Sequence, residues 1–261
     1  MIRVRILRIA LLATAVLLGT GAAPGGQAQG YLVQNLPAYM PPPPPTDVNE
    51  IELDIARVKA AQAMPISDRW LEANADARAY NAEDIIRRFD DASGEILDEQ
   101  RRPLLTWLIR NTIADAANYA KKAKSANPHP RPYVEDASIV PCDKDYLKDQ
   151  ESYPSGHAMN GYVVSKLIAA VVPGRTQEIL SRGVRYGDNR VICGVHHPTD
   201  IDAGRHLGIV YFEAVSANHD FQNDLLCAQQ EEAFLGVHQT PLSALCAQER
   251  HRVVTATPAA L

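Results

Sequence analysis

Between Arg102 and Lys124 the apolar residues return every three or four positions. Leu105, Leu108, Ile109, Ile113 and Ala116, with Thr112 among them, share one face of a helix at this spacing. The helix must stop before Asn127-Pro128, because proline disfavours helical backbone in the residue ahead of it. The same period marks other segments. Thr46 or Asp47 caps a helix carrying Ile51, Ile55 and Val58, and shorter helices fit Asp68 to Tyr80 and Ala82 to Phe89. Others are expected over His157 to Val172, Arg175 to about Val191, Pro198 to Ala217 and about Asp220 to Leu235. Alternating polar and apolar runs, the mark of strands, are scarce. The expected fold class is all-α.

The N-terminus addresses the compartment. Arg3, Arg5 and Arg8 precede an apolar run from Ile9 to Leu18, and Gly26 and Ala28 stand at −3 and −1 of a cleavage site. That is the pattern of a secretory signal peptide over residues 1–28, with an apolar run too short for a bilayer span. Residues 29–46, with five consecutive prolines from Pro41 to Pro45, read as a proline-rich arm or linker. Residues 47–261 form the all-α domain. No later stretch is apolar enough to span a membrane, so none is expected to engage one after cleavage. Removing Arg3, Arg5 and Arg8 takes the formal net charge from −5 to −8. An acidic chain without a basic run is not built for nucleic acid, and an anionic ligand must be met by a few placed cations. A homo-oligomer is left open.

Four cysteines, Cys142, Cys193, Cys227 and Cys246, form no C-x-x-C pair, which argues for disulfides in an exported chain and against a zinc site. Three pairings exist. Cys142–Cys193 with Cys227–Cys246 joins neighbours along the chain and is the expected one.

Three separated blocks carry the chemistry. The first runs from Lys124 to Arg131-Pro132 across a proline-stiffened turn. The second, Tyr153-Pro154-Ser155-Gly156-His157, opens an apolar helix. The third is Asn189-Arg190, then His196 and Asp200. Taken singly, Lys124 suits a helix end, Ser155 an N-cap and Gly156 a turn. His196 and His197 alone fit surface histidines, or a metal pair with Asp200. Taken together they fit one demand. A reacting phosphoryl group spreads negative charge over its oxygens, so it needs placed cations and backbone donors. Lys124, Arg131 and Arg190 are such cations, the arginines with forked donors. The start of the helix at Ser155-Gly156-His157 offers free N–H groups. Two histidines supply reactive nitrogens, and Asp200, four residues after His196, can fix its tautomer.

These blocks match the pattern K-x6-RP, PSGH, SR-x5-H-x3-D, so the chain resembles the phosphatidic acid phosphatase and vanadium haloperoxidase superfamily over roughly Pro103 to Ala217. The surroundings, Ser152 to His157 and Arg190 to His196, resemble bacterial class A non-specific acid phosphatases. The resemblance implies a helical bundle, and a periplasmic acid phosphatase that hydrolyses small-molecule phosphate monoesters of broad specificity without metal or cofactor. His196 is then the nucleophile that forms a phosphohistidine, Asp200 its orienting partner, and His157 the general acid. Lys124, Arg131, Ser155, Gly156 and Arg190 hold the phosphoryl oxygens. Two positions depart from the pattern. Asn189 replaces serine, with an amide still able to donate, and Ala158 stands where threonine is frequent. His197 and Asp202 receive no role.

The rival readings share parts of the site. A vanadium haloperoxidase would hold vanadate on His196, but such enzymes are usually much longer. A lipid phosphatase would share the mechanism and require membrane spans. A non-catalytic phosphate binder would have no use for the histidine–aspartate pair.

Overall fold

The computed structural model describes residues 28, 30–32, 36–63, 67–142, 147 and 151–256. Residues 1–27 of the expected signal peptide lie outside them. Among the described residues there are eleven α-helices and no strand. These are α1 (Val48–Gln62), α2 (Asp68–Ala77), α3 (Ala82–Arg87), α4 (Asp90–Ser93), α5 (Pro103–Ala126) and α6 (Pro132–Glu135). They continue as α7 (Gly156–Val171), α8 (Thr176–Ile192), α9 (Pro198–Ser216), α10 (His219–Leu235) and α11 (Ala244–Ala256).

The helices begin and end where local chemistry requires. Asp47, Ser67, Asn81 and Asn218 accept from backbone N–H groups at the starts of α1, α2, α3 and α10. Pro103 occupies the first turn of α5, and Asn127 closes that helix just before Pro128. The start of α5 has no side-chain cap of its own. The buried Glu231 of α10 reaches across instead, accepting from the Leu104 and Leu105 N–H groups at 3.2 Å.

The core is a helical bundle around α7, which packs chiefly on α8 and α9 and also on α5 and α10. Met159, Val163, Val164, Leu167 and Ile168 of α7 meet Leu105, Leu108, Ile109 and Tyr119 of α5, Tyr186 of α8, and Leu207 and Tyr211 of α9. The helix axes come close because the contacts are small. A Cβ on Gly204 of α9 would collide with the backbone oxygen of Ser155. That glycine therefore seats α9 against the turn that opens α7.

Both expected disulfides are present. Cys142–Cys193 ties the loop after α6 to the end of α8, and Cys227–Cys246 ties α10 to α11. The segment before α1 packs on the bundle. The N–H groups of Tyr31 and Leu32 donate to Asp115, the Tyr31 hydroxyl to Asp224, and the Tyr119 hydroxyl to the Tyr39 carbonyl. These are the contacts of an arm laid on the core.

Two helices end earlier than their patterns suggest. The segment from Asp68 is helical to Ala77 rather than to Tyr80, and that from Ala82 to Arg87 rather than Phe89. In both, the next N–H groups turn to three-residue bonds that close the last turn, on Ala75, Asp76, Ile85 and Ile86.

Candidate active site

The three sequence blocks converge at one end of α7. Lys124 lies in the last turn of α5, Arg131 caps α6, Ser155 caps α7 and Arg190 lies in the last turn of α8. A turn with Gly194 at φ +67° then brings the chain round to His196 and into α9, whose first turn carries Asp200. The Ser155 N–H donates to the Asp200 carbonyl at 2.9 Å, which fastens the α7 turn to α9.

Two contacts fix the tautomer of His196. Its Nδ1 lies 3.0 Å from Asp200 Oδ2, and its Nε2 lies 3.3 Å from an Arg131 Nη1. A guanidinium can only donate, so Nε2 must hold the lone pair and Nδ1 the proton. Arg131 is itself anchored, donating to the Val195 carbonyl at 2.8 Å. Burial, then the charges of Arg131, Lys124 and Arg190, push His196 well below the usual histidine value, so the neutral ring is the resting form. Asp200 Oδ2 also accepts from the Ser152 hydroxyl at 2.6 Å and the His197 N–H at 2.8 Å. Burial pushes this carboxyl up against those bonds.

The cations line the same space. Lys124 Nζ donates to the Glu151 and Ser152 carbonyls at 2.8 and 3.1 Å. Arg190 is 1% exposed, and its Nε and one Nη have no hydrogen-bond partner. Burial brings Arg190 down to about 10. A buried guanidinium with open donors is a site waiting for an anion.

His157 sits in the first turn of α7, stacked on Tyr186 with centroids 5.4 Å apart and the planes at 20°, with Tyr80 edge-on. Its ring hydrogen-bonds the Asp76 backbone, while Nε2 is buried without a partner. Burial, with Arg190, Arg131 and Lys124, holds this imidazole well below its ordinary value.

Every expected site residue is thus brought to one place: His196, Asp200, His157, Lys124, Arg131, Ser155, Gly156 and Arg190. Ser155 spends its oxygen on the Ala158 N–H at 3.3 Å, leaving its hydroxyl proton to donate. Asn189 does something else. Its amide donates to Asp76 at 2.6 Å and Glu72 at 3.1 Å, alongside an Arg182–Asp76 pair, and so braces the stretch that carries His157's backbone acceptor. Ser152 and Asp76 were not singled out from the sequence. Ser152 lies just ahead of the second block, whereas Asp76 has no signal in local spacing.

Residues 103–224 match the PAP2 superfamily. The non-specific acid phosphatase of Salmonella typhimurium is 32% identical over 196 residues, covering 74% of this chain and 78% of the relative. The chain belongs to the PAP2 superfamily. Other members of this family similar to it are the acid phosphatase of Zymomonas mobilis, 30% identical over 213 residues and 80% of each chain, and the non-specific acid phosphatase of Providencia stuartii. The latter is 31% identical over 202 residues, covering 76% of this chain and 81% of its own. The matched PAP2 segment runs from the first residue of α5 into α10, and so contains every expected site residue. No helix among the described residues is long and apolar enough to cross a membrane.

Proposed function

We propose that this acid phosphatase hydrolyses phosphate monoesters through a phosphohistidine formed on His196. The observation that carries the reading is the pair of contacts on that ring. Nδ1–H is held by Asp200, and the Nε2 lone pair points at Arg131, where a phosphoryl group would lie. An imidazole so held is an activated nucleophile.

The ester's phosphoryl oxygens would replace solvent at the open donors of Arg190, the Arg131 fork, the Ser155 hydroxyl and the Gly156 and His157 N–H groups, with Lys124 adding charge. Nε2 attacks phosphorus, and the bond to the leaving oxygen breaks with its electron pair. His157 Nε2 gives that oxygen its proton. The resting His157 is neutral because burial and three cations oppose its charge, and a dianionic ester offsets those cations. Substrate therefore supplies the field in which His157 holds its proton. In the second half, water attacks phosphorus, His157 takes the water's proton, and the phosphorus–Nε2 bond breaks with its electron pair returning to His196 as inorganic phosphate leaves. Charge stabilisation comes from Lys124, Arg131 and Arg190, so the scheme calls for no metal.

The grip on the phosphoryl group alone supports broad specificity among small phosphate monoesters. The signal peptide over residues 1–28 and the two disulfides support a periplasmic protein. A panel of aryl and alkyl phosphates, assayed with and without a chelator, tests the reading. Release of phosphate from most of them at unchanged rates with chelator is expected, with vanadate competing against substrate. Activity lost to a chelator and restored by a divalent ion would overturn the mechanism.

A further inference from the structure

His129, Glu135 and His197 lie together beside Asp200, and the scheme above uses none of them. Their nearest ligand atoms all fall within 4.8 Å of one another. His197 Nε2 is 3.0 Å from Glu135 Oε2 and 3.4 Å from the Pro130 carbonyl. The two imidazoles meet edge to face with centroids 4.9 Å apart. His129 and His197 are buried, whereas the Glu135 side chain is about a quarter exposed and leaves an entry path.

We propose that these three side chains form a binding site for one divalent transition-metal ion, with zinc as its best fit. Two imidazoles and a carboxylate are a zinc donor set, and the Pro130 carbonyl or water can complete it. Four ligands at about 2.0 Å stand roughly 3.3 Å apart around a tetrahedral ion. The His197–Glu135 pair already meets that spacing. Glu135 ends the four-residue α6, so its side chain has room to close the rest.

The surroundings match what a bound cation needs. His129 turns its Nδ1 inward, 3.5 Å from the Ser152 hydroxyl and 3.8 Å from Asp200 Oδ1, which has no other partner. A small approach would let that Nδ1–H donate to Asp200 Oδ1, the usual outer arrangement of a histidine bound to metal. Asp54, buried and bonded to the Thr199 hydroxyl at 2.7 Å, acts electrostatically on all three residues. With Glu135 it brings two negative charges to one divalent ion. A plain His197–Glu135 ion pair would not require a second buried imidazole beside it.

The ion would sit beside Asp200, outside the phosphoryl cradle, so its effect is on stability and not on a reacting atom. The test uses zinc chloride with metal-free protein prepared by chelator dialysis. Titration calorimetry should find one zinc ion per chain, and a hundredfold excess over Kd should raise the Tm by about 5 °C or more. Glu135→Gln, at the exposed edge, and His129→Asn should each weaken that binding at least tenfold while keeping a cooperative unfolding transition. Cobalt(II) should give the visible bands of a four-coordinate ion in the wild type alone. Absence of binding at millimolar zinc, or binding and Tm shift retained in both variants, would overturn the proposal.

Discussion

The Ser152 hydroxyl donates at 2.6 Å to the same Asp200 oxygen that faces His196 Nδ1. The carboxylate that holds His196 Nδ1 is therefore itself held from behind. A hydrogen bond to a charged group contributes about 1.5–3 kcal/mol. Ser152→Ala is expected to lower kcat by roughly tenfold to a hundredfold through a looser His196, with KM within about twofold. Steady-state kinetics on one aryl phosphate decides it. An unchanged kcat, or a loss confined to KM, would show that Ser152 only packs.

His157 separates chemistry by leaving group. His157→Ala should slow alkyl phosphates far more than activated aryl phosphates, which depart with little protonation. The pH dependence carries a sign. In the free protein, burial and three cations press His157 toward its neutral form, and a bound dianion relieves that pressure. The limb that marks loss of the acid should therefore lie at higher pH in kcat, which reports the complex, than in kcat/KM. Coincident limbs, or equal losses on both ester classes, would remove His157 from this role.

The helical core and the convergence of the three blocks were legible because their signals are local. Leu105 to Ala116 repeat at helical spacing, and His196 and Asp200 are one turn apart in sequence as in space. What escaped is long-range or faint. The Asp76 carbonyl meets His157 only once α2 docks on α8, and nothing near His157 announces it. Asn189 was expected to keep a donor, and it does. Its direction, toward Asp76 and Glu72, depends on that same docking. The four-residue helices α4 and α6 are too short to show a period. Among the described side chains of α11 only Cys246 and Val253 are buried, so the apolar stripe is too thin to read, and the Cys227–Cys246 bond pins that helix to α10.

Two buried carboxyls add stability on the acidic side. Burial raises Glu231 from 4.5 to about 7, against the bonds it accepts from Leu104 and Leu105 and the charges of Arg250 and Arg102. Burial likewise raises Asp224 to about 6, against the Tyr31 hydroxyl. A carboxyl whose folded pKa is raised stabilises fully below its unfolded value, and the contribution fades as pH climbs through the folded one. Each of these two carboxyls should therefore contribute a Tm that falls between about pH 4.5 and 7, opposite in sign to the buried neutral His157 and His196, which add stability as pH rises toward the usual histidine value. Glu231→Gln, which stays neutral and can still accept at α5, should flatten that slope. A Tm difference between wild type and Glu231→Gln that does not fall as pH rises across this window would refute the assignment.

The disulfides should matter unequally. They close loops with sequence separations of 51 and 19 residues, worth about 4 and about 3 kcal/mol by chain entropy. The Cys142–Cys193 bridge also lies three residues from His196, and the Cys142 N–H donates to the Cys193 carbonyl at 3.1 Å. Replacing both of these cysteines by serine should lower Tm and kcat together, whereas replacing Cys227 and Cys246 should lower Tm alone. Parallel melting curves and assays distinguish the two outcomes, and an unaffected kcat in the first variant would count against bracing of the His196 loop.

The most direct measurement is chemical. Protein quenched during turnover of a labelled phosphate ester should carry phosphate that is labile in acid and stable in base, the signature of a phosphorus–nitrogen bond to histidine. The wild type and His157→Ala should both carry it, and His196→Ala should carry none. Label that persists in the His196→Ala protein, or that is stable in acid and lost in base, would contradict His196 as the nucleophile.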